Sequence, residues 1–372
     1  MRVPNQRTSP RAAPTPDTFM HPSQLPAAVS LLALLSAAAQ PTEAQASTQR
    51  WYRGNTHMHT LNSDGDSPPE VAVRWYKAHG YDFTFVTDHE FITDVAPLNA
   101  ALGTDGTFLV ISGQEVTQRV VDATHPDGWR QAHVNALGTT SVIRPFGEKN
   151  IALDMTIAQT YARYVPAIRA AGGVAQVNHP NYRWSVNLSD MVDLPDSTLF
   201  ELWNAHIFVN NLGGADSVGN RAPSTEALWD SLLSRGKVLF GIASDDSHSF
   251  KPEEAENPEA TRPGRAWVMV HAASLTRDAI VSALARGDFY SSTGVTLRAY
   301  SADAREIRLE IEPYNDRRFL IEFIGRDGRA LSTATGTSAR YAISGDEGYV
   351  RVRISDSSGR RAWTQPVWLR RG

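Results

Sequence analysis

Between Arg50 and about Thr293 short apolar runs recur, and nearly every one ends in a histidine, aspartate or glutamate. The runs over 51–56, 82–87, 107–112, 131–137, 174–178, 198–203 and 238–243 have the length and bounded character of buried strands. They deliver in turn His57, Asp88-His89-Glu90, Gly113-Gln114-Glu115, His133 within the run itself, His179-Pro180, Asn204 with His206, and Asp245-Asp246-Ser247-His248. Helical stretches fall between several of them. One is opened by Pro68-Pro69-Glu70 and closed by Gly80, one runs over 155–171 and stops at Gly172-Gly173, and one covers 225–234. Seven such repeats, with polar side chains gathered at one end of the strands, predict an α/β fold: a (β/α) barrel whose chemistry sits on its top face. A doubly wound open sheet ranks second, because no glycine-rich phosphate loop follows the first run.

Histidine placement sharpens the site. Six of the eleven, His57, His59, His89, His133, His179 and His248, fall in or at the ends of these runs, and none follows His271. The others have ordinary readings: His21 precedes the fold, His79 suits the last turn of a helix, His125 sits in a Pro/Asp/Gly loop and His271 ends an apolar strand. His206 is open to either reading. In the stretch Asn55-Thr56-His57-Met58-His59-Thr60-Leu61-Asn62-Ser63-Asp64-Gly65, two imidazoles share one face of an extended chain and aim two nitrogens at one point. A turn through Asn62-Ser63 lets Asp64 return a carboxylate to the same opening, with Gly65 permitting the bend. Alone, a His-x-His is more often two satisfied histidines than a metal site. The carboxylates and imidazoles further along change that reading.

A chain of 372 residues fits one large domain with a small one after a leader. A formal charge of -4 and a pI near 6.3 give no global basic surface, so no stable nucleic-acid binding is expected. Residues 1–46 read as a signal peptide: the apolar run over 27–35 is far shorter than the ~20 residues a bilayer span needs, and Ala44-Gln45-Ala46 is a small-x-small cleavage site. The expectation is an exported, periplasmic or extracellular protein with no transmembrane anchor, its mature chain starting at Ser47. The absence of cysteine excludes disulfides, thiolate zinc sites and a cysteine nucleophile.

Taken together, Thr56-His57-Met58-His59-Thr60 with Ser63-Asp64-Gly65, Gly80-Tyr81-Asp82-Phe83 leading to Thr87-Asp88-His89, Gly113-Gln114-Glu115, His133, Asn178-His179-Pro180 and Ser244-Asp245-Asp246-Ser247-His248 resemble the ordered motifs of the polymerase and histidinol phosphatase (PHP) superfamily. The resemblance covers roughly 51–293. It implies a distorted seven-stranded, TIM-like (β/α) barrel over 47–294 that binds two or three divalent ions, Zn2+, Mn2+ or Fe2+. By that resemblance His57, His59, Glu115 and Asp246 would hold one metal. Glu115 would bridge to a second held by His133 and His179, and Asp64, His89 and His248 would hold a third. Many members carry His where Asp64 stands, and a carboxylate there favours a harder ion.

The donor chemistry agrees with this. Imidazole and carboxylate sites without thiolate suit Zn, Mn or Fe, and a carboxylate such as Glu115 can bridge ions ~3.5–4 Å apart. A pair of ions makes hydroxide available at neutral pH and binds the oxygens of a phosphoester, so the expected function is metal-dependent hydrolysis of a phosphomono- or phosphodiester, small or oligomeric. Hydrolysis of carboxyl or carbamate esters by the same site is the runner-up, and a non-catalytic binding protein ranks third. Asp88 and Asp245 either orient imidazoles or cap turns. Arg183 either pairs with a substrate anion or stacks on Trp184, and His206 is a candidate to protonate a leaving group. After Gly294 short alternating segments between Asn-Asp, Arg-Asp-Gly and Asp-Ser-Ser-Gly turns read as a small antiparallel β domain, sandwich-like, over 295–372. It is expected to be a structural cover for the barrel rather than a site of chemistry.

Overall fold

The computed structural model describes residues 49–215 and 221–369, which belong to one compact unit. The leader expected over 1–46 lies outside the described residues. Strands and helices alternate first: β1 (Arg50–Asn55), α1 (Pro69–Ala78), β2 (Phe83–Val86), α2 (Ala96–Leu102), β3 (Leu109–Val121), β4 (Trp129–Leu137), β5 (Ile151–Ala152), α3 (Ile157–Ala170), β6 (Val174–Val177), α4 (Leu188–Met191) and β7 (Thr198–Asn204). There follow β8 (Gly214–Ala215), β9 (Arg221–Ala222), α5 (Thr225–Ser234), β10 (Leu239–Ser244), β11 (Trp267–Ala272), α6 (Arg277–Arg286) and β12 (Phe289–Ser292). The C-terminal stretch adds β13 (Leu297–Ala302), β14 (Glu306–Ile311), β15 (Phe319–Ile324), β16 (Ala330–Thr335), β17 (Ser338–Ala342), β18 (Tyr349–Asp356), β19 (Arg361–Thr364) and β20 (Val367–Trp368). The result is a mixed α/β protein with one large sheet and few helices.

Every residue of β2, β6 and β10 is buried, as befits strands covered on both faces. Helix α3 starts at a capping box in which Thr156 and Gln159 satisfy each other's backbone, and it buries Ile157, Tyr161, Tyr164, Val165 and Ile168 against the sheet core. Seven strands lie side by side in the order β10, β7, β6, β4, β3, β2, β1. β1, β2 and β3 are parallel, as are β6, β7 and β10, but β4 is antiparallel to both of its neighbours. The uniform strand–helix repeat expected from the sequence breaks here. Only residues 122–128 join β3 to β4, too few for a crossover helix, so the chain returns as a hairpin. β3 also outruns the apolar run over 107–112, because each residue from Gly113 to Val121 pairs with β4. His133 therefore sits in a reversed strand, opposite Thr117.

The outer members of this set meet again at their C-terminal ends. Met58, beyond β1, bridges Ser247, beyond β10; Asp246 N–H donates to the His57 carbonyl and His59 N–H to the Ser247 carbonyl, both at 2.9 Å. On its other side β1 pairs with β11, and the sheet runs on through β12, β19, β18, β15 and β16. β13, β14 and β17 form a second sheet, whose Leu297, Ile307, Leu309 and Ile311 share a core with Phe319, Ile321, Phe323, Val350, Val352 and Ile354. Tyr290 and Val295 belong to that same core, so it runs into the strands before it. Two polar links also cross. Fully buried Arg351 of β18 donates to Asp230 (2.8 and 2.6 Å) and Glu226 (2.8 Å) on α5, and the Gln365 amide exchanges hydrogen bonds with the Gly241 backbone at 2.7 and 2.8 Å. No helix among the described residues is long and apolar enough to cross a membrane.

Candidate metal centre

Two backbone bridges gather the side chains. His57 and His59 leave β1 in extended conformation, and the Met58–Ser247 bridge lays Asp246 and His248 beside them. A second bridge joins His89 to Glu115: Glu115 N–H donates to the Asp88 carbonyl at 3.1 Å and Glu90 N–H to the Glu115 carbonyl at 3.0 Å. His133 arrives from β4 and His179 follows β6. Asp246 has φ of 50°, a left-handed conformation that costs a non-glycine residue about 1–3 kcal/mol and is held here by its bond to His57. Gly65 is required by space, since a Cβ there would lie 2.4 Å from the His59 carbonyl oxygen.

The His57 Nδ1–H donates to Glu201 Oε1 at 3.0 Å, which makes Nε2 the nitrogen that is free to bind a cation once its proton is displaced. That Nε2 lies 3.3 Å from Glu115 Oε2 and 3.2 Å from Asp246 Oδ1. His59 Nε2 lies at the same two distances from the same two oxygens. Both Nε2 atoms are buried without a hydrogen-bond partner. A cation bound at about 2.0–2.1 Å to four ligands in a tetrahedron places them about 3.3 Å apart, so the residues present fit a metal ion.

The other oxygen of Glu115, Oε1, faces His133 Nδ1 at 2.9 Å and His179 Nε2 at 3.3 Å. His133 Nε2 is also buried and unpartnered. Asp64 gathers a third group, with Oδ2 3.6 Å from His89 Nε2 and Oδ1 3.5 Å from His248 Nε2. His248 Nδ1 donates to the Asp246 carbonyl at 3.0 Å, again freeing Nε2. The Asp64 side chain is 56% exposed, so this group opens to solvent. All nine residues singled out in the sequence as metal ligands thus fall into five overlapping groups whose ligand atoms lie within 4.8 Å of one another. His89 also joins Glu115 and His133, which interlocks the second and third groups.

Electrostatics follow from this crowding. Burial disfavours the charged form of His57, but Asp246, Glu115 and Glu201 outweigh it and raise its pKa well above the usual value. Burial opposes ionisation of Glu115 as well, and His57, His133 and His89 overcome it and hold the carboxyl well below its usual range. Asp246 is depressed in the same way by His57 and its neighbours. His133 goes the other way: burial pushes it down to about 4. Without ions, protons on imidazoles balance the carboxylates, and ions bound here displace those protons.

An outer layer fixes these groups. Glu201 Oε2 accepts the His179 backbone N–H at 2.7 Å and the Asn204 amide at 2.9 Å. Asn204 also donates to Asp246 Oδ2 (3.0 Å), and Asn178 to Glu115 Oε1 (2.7 Å). Sequence reasoning passed over Glu201; its signal was a lone charge within Leu199-Phe200-Glu201-Leu202-Trp203, where both faces are buried. Asp88 and Asp245 touch no imidazole. Asp88 binds Thr60, Ser63 and Thr93 and fixes the turn that carries Asp64, while Asp245 accepts the backbone N–H groups of Gly264, Arg265 and Ala266.

The two candidate substrate residues fare differently. Arg183 is exposed, ion-paired with Asp127 at 2.8 Å and placed over Trp129 rather than Trp184, so its charge is already neutralised. The His206 ring lies 5.4 Å from that of His248. Its Nδ1 accepts the Phe208 N–H at 3.2 Å, which puts the proton on Nε2, and burial holds its pKa down to about 4. At neutral pH His206 is a neutral hydrogen-bond donor.

No family model and no curated protein sequence matches the chain. Solved structures do. A two-domain protein from Bacteroides vulgatus containing a predicted PHP-like metal-dependent phosphoesterase is 16% identical over 83% of this chain and 91% of its own, with a TM-score of 0.45. A proposed metal-dependent phosphoesterase from Bifidobacterium adolescentis is 14% identical over 54% of this chain and 89% of its own, at TM-score 0.34. An amidohydrolase from Chromobacterium violaceum, solved with sulfate and no metal, is 15% identical over 56% of this chain and 93% of its own, at TM-score 0.34. All three superpose loosely, and what this chain does has to be read from its own side chains. In structure the chain is similar to PHP-like metal-dependent phosphoesterases.

Proposed function

We propose that the protein is a metal-dependent phosphoesterase that hydrolyses a phosphomono- or phosphodiester. One observation carries the reading: the buried Nε2 atoms of His57 and His59 converge on Glu115 Oε2 and Asp246 Oδ1 at 3.2–3.3 Å and neither finds a hydrogen-bond partner. Divalent ions held there supply a nucleophile at neutral pH and neutralise a phosphoryl group. Glu115 divides its two oxygens between the His57/His59 pair and the His133/His179 pair. Glu201 locks the His57 tautomer, and Asp64, His89 and His248 form the open edge where a substrate oxygen arrives. His206 donates a hydrogen bond to the substrate rather than transferring a proton from an imidazolium.

The seven adjacent strands are read as a distorted barrel closed through the Met58–Ser247 bridge, with the C-terminal stretch from 295 as its cover, and the mature chain as an exported protein starting at Ser47. Protein loaded with Zn2+, Mn2+ or Fe2+ is expected to cleave 4-nitrophenyl phosphate or bis(4-nitrophenyl) phosphate. Cleavage of 4-nitrophenyl acetate or an aryl carbamate, with both phosphoesters untouched, would replace this reading by an ester or carbamate hydrolase.

A further inference from the structure

Beside the metal centre lies a groove of about 570 Å³, formed between the segment after β7 and the turn joining β18 to β19. Asn204 and His206 line it, and through them it adjoins the Asp246 and His248 side chains. Arg265 and Arg360 line it too, and no acidic residue does among those described. Neither guanidinium is ion-paired among the described residues.

Both arginines are held in position. The Arg265 N–H donates to Asp245 Oδ1 at 2.8 Å, on the residue directly before Asp246. Burial and neighbouring Arg262 hold its guanidinium below the usual range, against the opposing charge of Asp245. Arg360 leaves a turn fixed by Asp356, whose Oδ1 accepts the N–H groups of Ser358 (2.8 Å) and Arg360 (2.9 Å) while Oδ2 binds Arg317 (2.7 Å). Its stem crosses Gly294, where a Cβ would fall 2.2 Å from Arg360 Cδ. The glycine clears the path for the arginine. The groove's volume lies within the range of small-molecule sites, about 300–1,000 Å³, and a guanidinium free of a carboxylate partner is a fork for oxyanions.

We infer that this groove receives a second oxyanion of the substrate, so that the preferred substrate is a phosphoester carrying a further phosphate or carboxylate a few bonds from the scissile group. The inference rests on the phosphoesterase reading. It also gives the C-terminal stretch a part in substrate selection, because Arg360 belongs to it.

The test compares kcat/KM of the metal-loaded protein on propyl phosphate, propane-1,3-diyl bisphosphate and 4-phosphooxybutanoate. At least one doubly anionic substrate is expected to be preferred by about tenfold or more, the worth of one charge-assisted hydrogen bond, and the better of the two tells phosphate from carboxylate. Arg360→Ala, in an exposed turn, is expected to abolish most of that preference through KM, with Arg360→Lys retaining part of it and Arg265→Gln acting as a second probe. Equal turnover of all three, or a preference that survives both Arg360→Ala and Arg265→Gln, would overturn the inference while leaving the phosphoesterase reading intact. Should no phosphoester be cleaved, that reading fails, and calorimetry with propane-1,3-diyl bisphosphate still decides the groove: binding weakened about tenfold by Arg360→Ala supports it, and binding unchanged by the substitution overturns it.

Discussion

Glu115 faces five imidazoles through two oxygens, His57, His59 and His89 through Oε2 and His133 and His179 through Oε1. Replacing it with Gln removes the charge that holds two groups of ligands at one spacing. Glu115→Gln is expected to lower turnover by about a hundredfold or more, with substrate binding less affected, because the lost interaction serves the reacting groups; steady-state kinetics at saturating metal would show it. Glu201→Gln leaves the primary ligands intact but weakens the bond that sets the His57 tautomer, and metal affinity is expected to fall about 10–100-fold in a competitive chelator titration. An unchanged affinity would mean that Glu201 serves packing alone. At this scale the sequence was most legible for the nine imidazoles and carboxylates that cluster here, because such side chains at strand ends have few other uses. It was least legible for Glu201, Asn178 and Asn204, whose partners are brought together only by the sheet order.

Among the elements, α5 and β18 are joined by a charge cluster with no exposure at its centre. Arg351 is fully buried, and its positive charge holds Glu226 below the usual carboxyl range against the opposing effect of burial. Arg351→Met would strand Asp230 without a cation in a buried interface and leave Glu226 with Arg353 alone, so a loss of about 3–5 kcal/mol of stability is expected, with the number of ions per folded chain unchanged. Urea denaturation measures the first and elemental analysis of the soluble fraction the second. A loss below about 1 kcal/mol would show that water reaches the cluster. The strand positions were readable from apolar runs, whereas the β3–β4 hairpin was not, because an antiparallel and a parallel buried strand look alike in sequence and only the short 122–128 connection tells them apart. Arg351 was hidden for a related reason: in an alternating strand, an arginine reads as solvent-facing until the helix that covers it is placed.

The charge balance of the whole molecule makes its behaviour depend on pH and metal together. In the metal-free protein His57, His59, His89, His179 and His248 are all raised above the ordinary 6.5, with burial opposing and the surrounding carboxylates prevailing. Such groups stabilise the fold in full below 6.5, where the unfolded chain is protonated as well, and that stabilisation is lost as pH rises through the raised values. Glu115 and Asp246, depressed, contribute in full above the ordinary carboxyl range and lose their contribution as pH falls through their folded values. The metal-free protein is therefore expected to lose thermal stability as pH climbs above 6.5, while the metal-loaded protein does not, because ions take the place of the departing protons. Melting temperatures of both forms across this range test it, and parallel curves would contradict it.

The most direct measurement on the central claim is the number of ions per chain. Protein stripped with chelator, reconstituted with Zn2+, Mn2+ or Fe2+ and freed of excess is expected to retain two or three ions per chain for at least one of these metals, and fewer in Glu115→Gln. Retention of no more than a small fraction of one ion for all three metals, in protein shown to be folded, would contradict the account.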